Sequence, residues 1–148
     1  MAPFKNILVA TDCGPAAQRA ADIACGLAAA GTRPQITLLH VWTVPLPSYA
    51  QGLTFPLAEM ETAGREALDT EAARVRQTFP EVNVKTLLLP GLAWRAVLEA
   101  VEEHKFDLVV MGTHGRKGLQ HLLLGSIAEK VVRSAPVPVL TVRSPDDR

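Results

Sequence analysis

The stretch Lys5-Asn6-Ile7-Leu8-Val9-Ala10-Thr11-Asp12-Cys13-Gly14-Pro15 decides how the rest of the chain is read. Ile7 to Ala10 is an unbroken apolar run containing β-branched residues, and Asn6–Ala10 is read as a strand. Runs of this kind suit strands buried on both faces, as parallel sheets require. The polar turn Thr11-Asp12-Cys13-Gly14 follows. Pro15 then opens an alanine-rich segment that runs to Ala30 and stops at Gly31. Proline just inside the start and glycine just past the end mark a helix. Its small face (Ala17, Ala20, Ala21, Ala24, Ala28) lets it lie close against a sheet.

Working outward, the same alternation continues. Gln35 to Trp42 reads as a second strand, with Ile36, Leu38 and Leu39 apolar. Leu57 to Phe79 carries Met60, Gly64, Leu68, Val75 and Phe79 near a four-residue spacing, an amphipathic helix. Val82 to Leu89 is strand-like, Leu92 to Glu103 helical, and Phe106 to Met111 a further apolar strand. Ser126 to Ser134 is helical and Val137 to Val142 closes the order as a strand. Such alternation implies a parallel sheet with helices on both faces and right-handed crossovers. Pro138 lies in the last strand and lacks the donor that a central position needs, which places that strand at an edge. An apolar edge must be covered, so Val137–Val142 is the expected homodimer contact. Residues 43–58 hold Pro45, Pro47, Gly52 and Pro56 and no period, and read either as a lid or contact loop or as a tolerated insertion.

Composition narrows the function. The 148 residues suit one domain, 1–148, and 48% hydrophobic with 20% charged residues is an ordinary globular balance. Fifteen Lys+Arg against 15 Asp+Glu leave no net charge, hence no footprint for nucleic acid or an anionic membrane. Apolar runs are as short as Leu87-Leu88-Leu89, so no membrane span is expected, and the first residues do not read as a secretory signal. Cys13 and Cys25 make neither a disulfide framework nor a metal spacing. A cytoplasmic location is expected.

In open α/β sheets ligands bind beyond the carboxyl ends of the strands. Two such ends carry chemistry: Thr11-Asp12-Cys13-Gly14, and Gly112-Thr113-His114-Gly115-Arg116-Lys117-Gly118 with Gly125-Ser126 opening the next helix. Glycines allow close backbone approach to a ligand, consecutive N–H groups can form an anion nest, and a helix start favours phosphate. Arg116 and Lys117 add positive charge, so a polyphosphate between Gly112–Gly115 and Gly125–Ser126 is one reading. The other is that Ser126 and Glu129 form an S-x-x-E capping box and the glycines merely turn the chain. Neither the G-x4-G-K-S/T loop nor a G-x-G-x-x-G after the first strand is present.

Gly112-Thr-His-Gly115, nine residues, then Gly125-Ser126 resembles the G-x2-G-x9-G-S/T signature of the universal stress protein family. The resemblance spans nearly the whole chain: Lys5-Asn-Ile-Leu-Val-Ala-Thr-Asp12, Leu39-His-Val41, Phe106-Asp-Leu-Val-Val-Met-Gly112 and Pro136-Val-Pro-Val-Leu-Thr-Val142 match the family's strand motifs. It implies an open five-stranded parallel α/β sheet in the order 3-2-1-4-5, Rossmann-like and akin to the adenine nucleotide alpha hydrolases, and a homodimer through the last strand. It also implies ATP with a divalent metal, Mg2+, held at the phosphates, and stress-related regulation with weak or absent hydrolysis. By matching positions, Asp12 and Val41 would face the adenosine, and Met111 and Gly112 the ribose. Gly115, Gly125, Ser126 and Ile127 would surround the phosphates. Ala10 and Thr11 beside Asp12, with His114 and Arg116 in the glycine loop, complete the expected nucleotide-binding set. Asp12 is the one candidate metal contact, mainly through the phosphates.

Two positions depart from the family pattern: Gly14 replaces a usual serine, and Gly91-Leu92-Ala93 lacks a usual proline. Cys13 reads as a packing residue, since no His/Asp partner is placed for it. His114 and His121 flank the loop as phosphate or pH sensors or as plain surface residues, whereas His40 reads as a satisfied, partly buried histidine. Asp12 has helix capping as its alternative role. Lys117 is an electrostatic aid or a solvated side chain, and Trp42 and Trp94 read as packing residues. No nucleophile or general base is placed for hydrolysis, so no catalytic residue is assigned. A nucleotide-free dimeric scaffold is the rival reading. A nucleotidyl transferase or adenylating synthetase would need an H-x-G-H or S-G-G-x-D-S loop, and neither occurs.

Overall fold

The structure, a computed structural model, describes residues 4–43, 56–115 and 123–144. Five strands form one parallel sheet in the order β3-β2-β1-β4-β5: β1 (Asn6–Ala10), β2 (Gln35–Trp42), β3 (Val84–Pro90), β4 (Leu108–Gly112) and β5 (Val139–Val142). Four helices connect them: α1 (Pro15–Ala30), α2 (Leu57–Thr78), α3 (Ala93–Glu103) and α4 (Ser126–Ser134). The strand order reverses between β1 and β4, whose following helices α1 and α4 lie on opposite faces of the sheet and leave a crevice at the carboxyl ends of the two strands.

Successive side chains of β1 point to opposite faces, and both faces are dry. Ile7 and Val9 enter the core under α1 and α2, while Leu8 enters the core under α3 and α4. The alanine face of α1 is buried as the spacing predicts: Ala17, Ala20, Ala21, Ala24 and Ala28 are all inside. Close approach is real at its first turn, where a Cβ on Gly112 of β4 would stand 2.9 Å from the Cβ of Ala16.

Several boundaries move for identifiable reasons. Phe106 is held to the end of α3 by its N–H, which donates to the Val101 carbonyl at 3.2 Å, so β4 starts later, at Leu108. Asp107 instead ties the bottom of the sheet together, its carboxylate accepting from the N–H groups of Lys5 (2.8 Å) and Asn6 (3.1 Å). Val82 closes a turn back to the Phe79 carbonyl at 3.1 Å, so β3 starts at Val84, not Val82. β3 runs on through Pro90, paired with Trp42, because the prolyl nitrogen faces away from β2 at this edge. At the other edge Pro138 gives the ladder only its carbonyl, accepting from Val109 N–H at 3.0 Å, and β5 starts at Val139, not Val137. The edge position expected from Pro138 is the one observed.

The buried stripe of α2 includes a charge that periodicity missed. Gly64, Leu68, Ala72 and Val75 are buried, and so is Glu71 at 3% exposure. Arg74 meets both of its carboxylate oxygens, at 2.9 and 2.8 Å, and reaches across to Asp22 of α1 at 3.0 Å. The two carboxylates hold the Arg74 guanidinium still more firmly protonated than usual. Burial, with help from nearby Asp22, pushes the Cys25 thiol up to about 12, which makes it inert packing.

Candidate functional site at the carboxyl end of the sheet

A cavity of about 460 Å³ opens at the carboxyl ends of β1, β2 and β4. It gathers Ala10, Thr11, Asp12, Val41, Met111, Gly112, His114, Gly115, Gly125, Ser126 and Ile127, every expected site residue but one. The exception, Arg116, lies outside the described residues, as do Lys117, His121 and most of the 43–58 segment. The cavity also takes in Ala17, Leu39, His40, Thr43, Ala93, Val97, Thr113 and Ala128, which motif reading did not select. His40, Thr113 and Ala128 are chain neighbours of selected residues, whereas Ala93 and Val97 of α3 reach the cavity only through the fold.

The β1 end is a tight, internally bonded turn. Thr11 N–H donates to the Leu39 carbonyl at 2.8 Å, and the Thr11 hydroxyl accepts from Cys13 N–H at 2.9 Å. Asp12 Oδ1 accepts from Gly14 N–H at 2.9 Å, an Asx-type turn that delivers the chain into α1. Gly14 is the N-cap of α1 in an extended conformation, and the Asp12 carboxylate meets the N–H of that cap residue and not the first turn of the helix, so the capping role considered for Asp12 is not the one observed. The other oxygen of Asp12 lies toward the glycine loop, 3.2 Å from where a Cβ on Gly115 would sit.

The β4 end leads to α4 through two backbone hydrogen bonds made by one residue. Thr113 N–H donates to the Val142 carbonyl of β5 at 2.9 Å, and the Thr113 carbonyl accepts from Gly125 N–H at 2.7 Å. A Cβ on Gly125 would press on that same carbonyl at 3.2 Å and on His114 Cα at 3.4 Å. The N-cap of α4 is Gly125, which leaves Ser126 as its first residue. The expected capping box is therefore not formed. Glu129 pairs with Arg133 instead, at 2.7 Å on the solvent side, and among the described residues the first turn of α4 has no side-chain cap. Its N–H groups and dipole face an opening lined by Ser126, Ile127 and Ala128.

His40 is the satisfied, partly buried histidine that the sequence suggests. Its Nδ1 lies 2.9 Å from the Thr11 carbonyl, and a carbonyl only accepts, so Nδ1 carries the proton. The residue is half-buried, and it is also part of the cavity wall. Gly91, where the family pattern has its departure before α3, adopts φ +120°, a conformation that favours glycine. Trp94 packs on the core of the α3/α4 layer, as expected, with Lys130 Nζ 5.1 Å and Arg95 Cζ 5.3 Å from its ring centroid.

The wall as described is mostly apolar and backbone, with Asp12, His40 and His114 its ionisable residues. Among the described residues no group of three or more His, Cys, Asp or Glu is placed to hold a metal ion. Asp12 by itself is thus not a protein-made metal centre. Likewise among the described residues, no helix is long and apolar enough to cross a membrane.

Comparison with known proteins agrees with this geometry. A universal stress protein of Thermus aquaticus is 38% identical over 148 residues, covering 95% of this chain and 99% of that protein. The solved structure of universal stress protein UspA from Lactobacillus plantarum superposes with a TM-score of 0.81 at 26% identity, covering 97% of this chain and all of that one (100%). A universal stress protein solved in complex with cAMP shares the fold, with a TM-score of 0.74 at 21% identity over 96% of this chain and 99% of its own. The model of the universal stress protein family matches residues 3–143, and this chain belongs to that family.

Proposed function

We propose that the protein is an ATP-binding regulator of the stress response, holding the nucleotide in the cavity at the carboxyl edge of the sheet. The observation that carries this reading is the convergence of the glycine loop, the uncapped first turn of α4 and the β1 turn on one 460 Å³ space. The residues fit a nucleotide in kind. Apolar Val41, Met111 and Val97 suit a base and sugar, and the N–H groups of Ser126 and Ile127 in the first turn of α4 suit an anion. The cAMP-bound neighbour of the same fold supports an adenine nucleotide in that protein.

Gly115 and Gly125 keep the phosphate space open, and Arg116 would add charge to it. Mg2+ would be held mainly by the phosphates, with Asp12 the one carboxylate of the described wall available to it. In this reading the protein binds ATP with slow or no hydrolysis: phosphate release should fall far below a typical enzyme rate of about 10 per second. The pair would act in the cytoplasm as a homodimer joined along β5, whose Leu140 is 37% exposed and whose Val139 is half-buried. In the register of β4 with β5, the backbone groups of Val139 and Thr141 point outward, open to a second copy.

Calorimetric titration of nucleotide-free protein with ATP, with and without Mg2+ and with GTP as control, tests the site. Saturable binding at one site per chain, tighter for ATP than GTP, is expected. No heat at millimolar ATP and an unchanged melting temperature would leave the dimeric scaffold, for which the exposed Leu140 edge speaks. Sedimentation of Leu140→Lys tests the edge, with conversion to monomer expected.

A further inference from the structure

We propose that Arg76 closes the β3 edge of the sheet against a second copy of this chain, so that strands can be added at the β5 edge alone.

β3 and β5 are the two edges of the sheet. Along β3 the ladder decides which backbone groups face outward. Ile36 N–H donates to the Asn83 carbonyl at 3.0 Å, and Gly91 N–H donates to the Trp42 carbonyl at 3.0 Å. The odd-numbered residues of this segment thus turn their backbone groups to β2, and Val84, Thr86, Leu88 and Pro90 turn theirs away. By composition this edge invites pairing, since Leu87, Leu88 and Leu89 are consecutive and half-buried. An apolar run with open N–H and C=O groups is a template for another chain.

Two of the outward residues are out of use. Pro90 has no N–H to give. The Val84 carbonyl is taken by Arg76 of α2, with Nη2 at 2.7 Å and Nε at 3.3 Å. These are charge-assisted hydrogen bonds, and they hold the guanidinium where the next strand would approach. Among the described residues only the outward groups of Thr86 and Leu88 stay open along β3.

Symmetry doubles the effect of the block. Two copies of β3 related by a twofold axis pair antiparallel, and centring the pair on Thr86 sets Val84 against Leu88 of the second copy at both ends. With Arg76 on Val84 both end pairs are lost. The central Thr86 pair remains, too little to join two edges. A sheet open at both edges would add copies without end, whereas one open edge stops at two. The β5 contact proposed above enters only in the size of the product.

Sedimentation of Arg76→Met tests the proposal, because methionine keeps an apolar stem and removes the donors. The weight-average mass should at least double and rise with concentration. In the Leu140→Lys background the same substitution should stop at a dimer. Arg76→Lys still offers a donor to the Val84 carbonyl and should sediment as wild type. Thr86→Pro added to Arg76→Met removes an outward N–H at the centre of the pairing, costs no bond to β2, and should return the mass to that of wild type. An Arg76 that merely ties α2 to β3 would lower the melting temperature of Arg76→Met and leave its mass unchanged, which overturns the proposal. So does a rise in mass that Thr86→Pro fails to reverse, since the contact then lies elsewhere. If wild type is itself a monomer, it is the β5 contact that fails, and Arg76→Met should still give a dimer.

Discussion

The two layers of helices on this sheet are built on opposite principles. On one face α1 and α2 close tightly over Ile7, Val9, Ile36 and Leu38, with alanines between them and a buried Glu71 paired to the partly exposed Arg74 and Asp22. On the other, α3 and α4 cover Leu8, Leu39 and Val109, but the N-terminal turns of both line the cavity, and Leu92, Leu123, Ile127 and Val132 stay exposed. The first layer is a packing device. The second is left incomplete at the place where a ligand would sit. The glycine signature straddles both: Gly112 is small because Ala16 of α1 is against it, whereas Gly115 and Gly125 border open space and loop backbone.

That contrast can be broken by substitution. The largest effect should come from Gly112→Val, since even a Cβ would lie 2.9 Å from Ala16 Cβ and 3.3 Å from its backbone carbon. Overpacking of this kind costs about 1–3 kcal/mol, read as a lower urea midpoint at unchanged slope. Next is Glu71→Ala, which strips Arg74 of its bidentate partner while Asp22 remains. With Arg74 partly exposed, a loss of about 2 kcal/mol is expected, or a melting temperature lower by about 4–8 °C.

In the open layer the same kind of change should act on binding and spare the fold. Among the described residues a Cβ on Gly115 meets the far end of the Asp12 side chain and no backbone, so with Gly115→Val melting should move little while ATP affinity falls more than tenfold in calorimetry. If it melts like Gly112→Val, the loop is packing and the contrast is wrong. Smallest is Arg133→Ala, which breaks the exposed Glu129 pair on α4. Only about 0.3–0.5 kcal/mol should be lost, close to the limit of denaturant titration. A larger loss would mean that α4 depends on its surface charges more than on Val131 beneath it.

Much of this was legible in order and spacing. Unbroken runs such as Ile7–Ala10 and Leu108–Met111 announce strands dry on both faces, and Pro138 announces an edge. The glycine spacing named residues that do meet in one cavity. Legibility failed where a residue's role depends on a distant neighbour. Glu71 sits on an apolar stripe because Arg74, one helical turn on and steadied by Asp22 of α1, compensates it. His40 reads as a satisfied, partly buried histidine, but its partner, the Thr11 carbonyl in the turn after β1, is one that the sequence alone does not name. The capping box at Ser126 and Glu129 matched a pattern, yet the chain put Gly125 at the cap, since Gly125 N–H is already bound to Thr113.

Periodicity, glycine and proline placement are local properties, so the alternation of strands and helices, the small face of α1 and the edge position of β5 followed from the sequence by itself. What only the tertiary structure decided is which of those residues face the same space. Gly112 serves α1 and Gly125 serves the α4 turn, although they belong to one motif. The physical reason is that a side chain's role is set by the atoms packed against it. At the crevice those atoms come from segments far apart in the chain, brought together where the sheet reverses its order between β1 and β4.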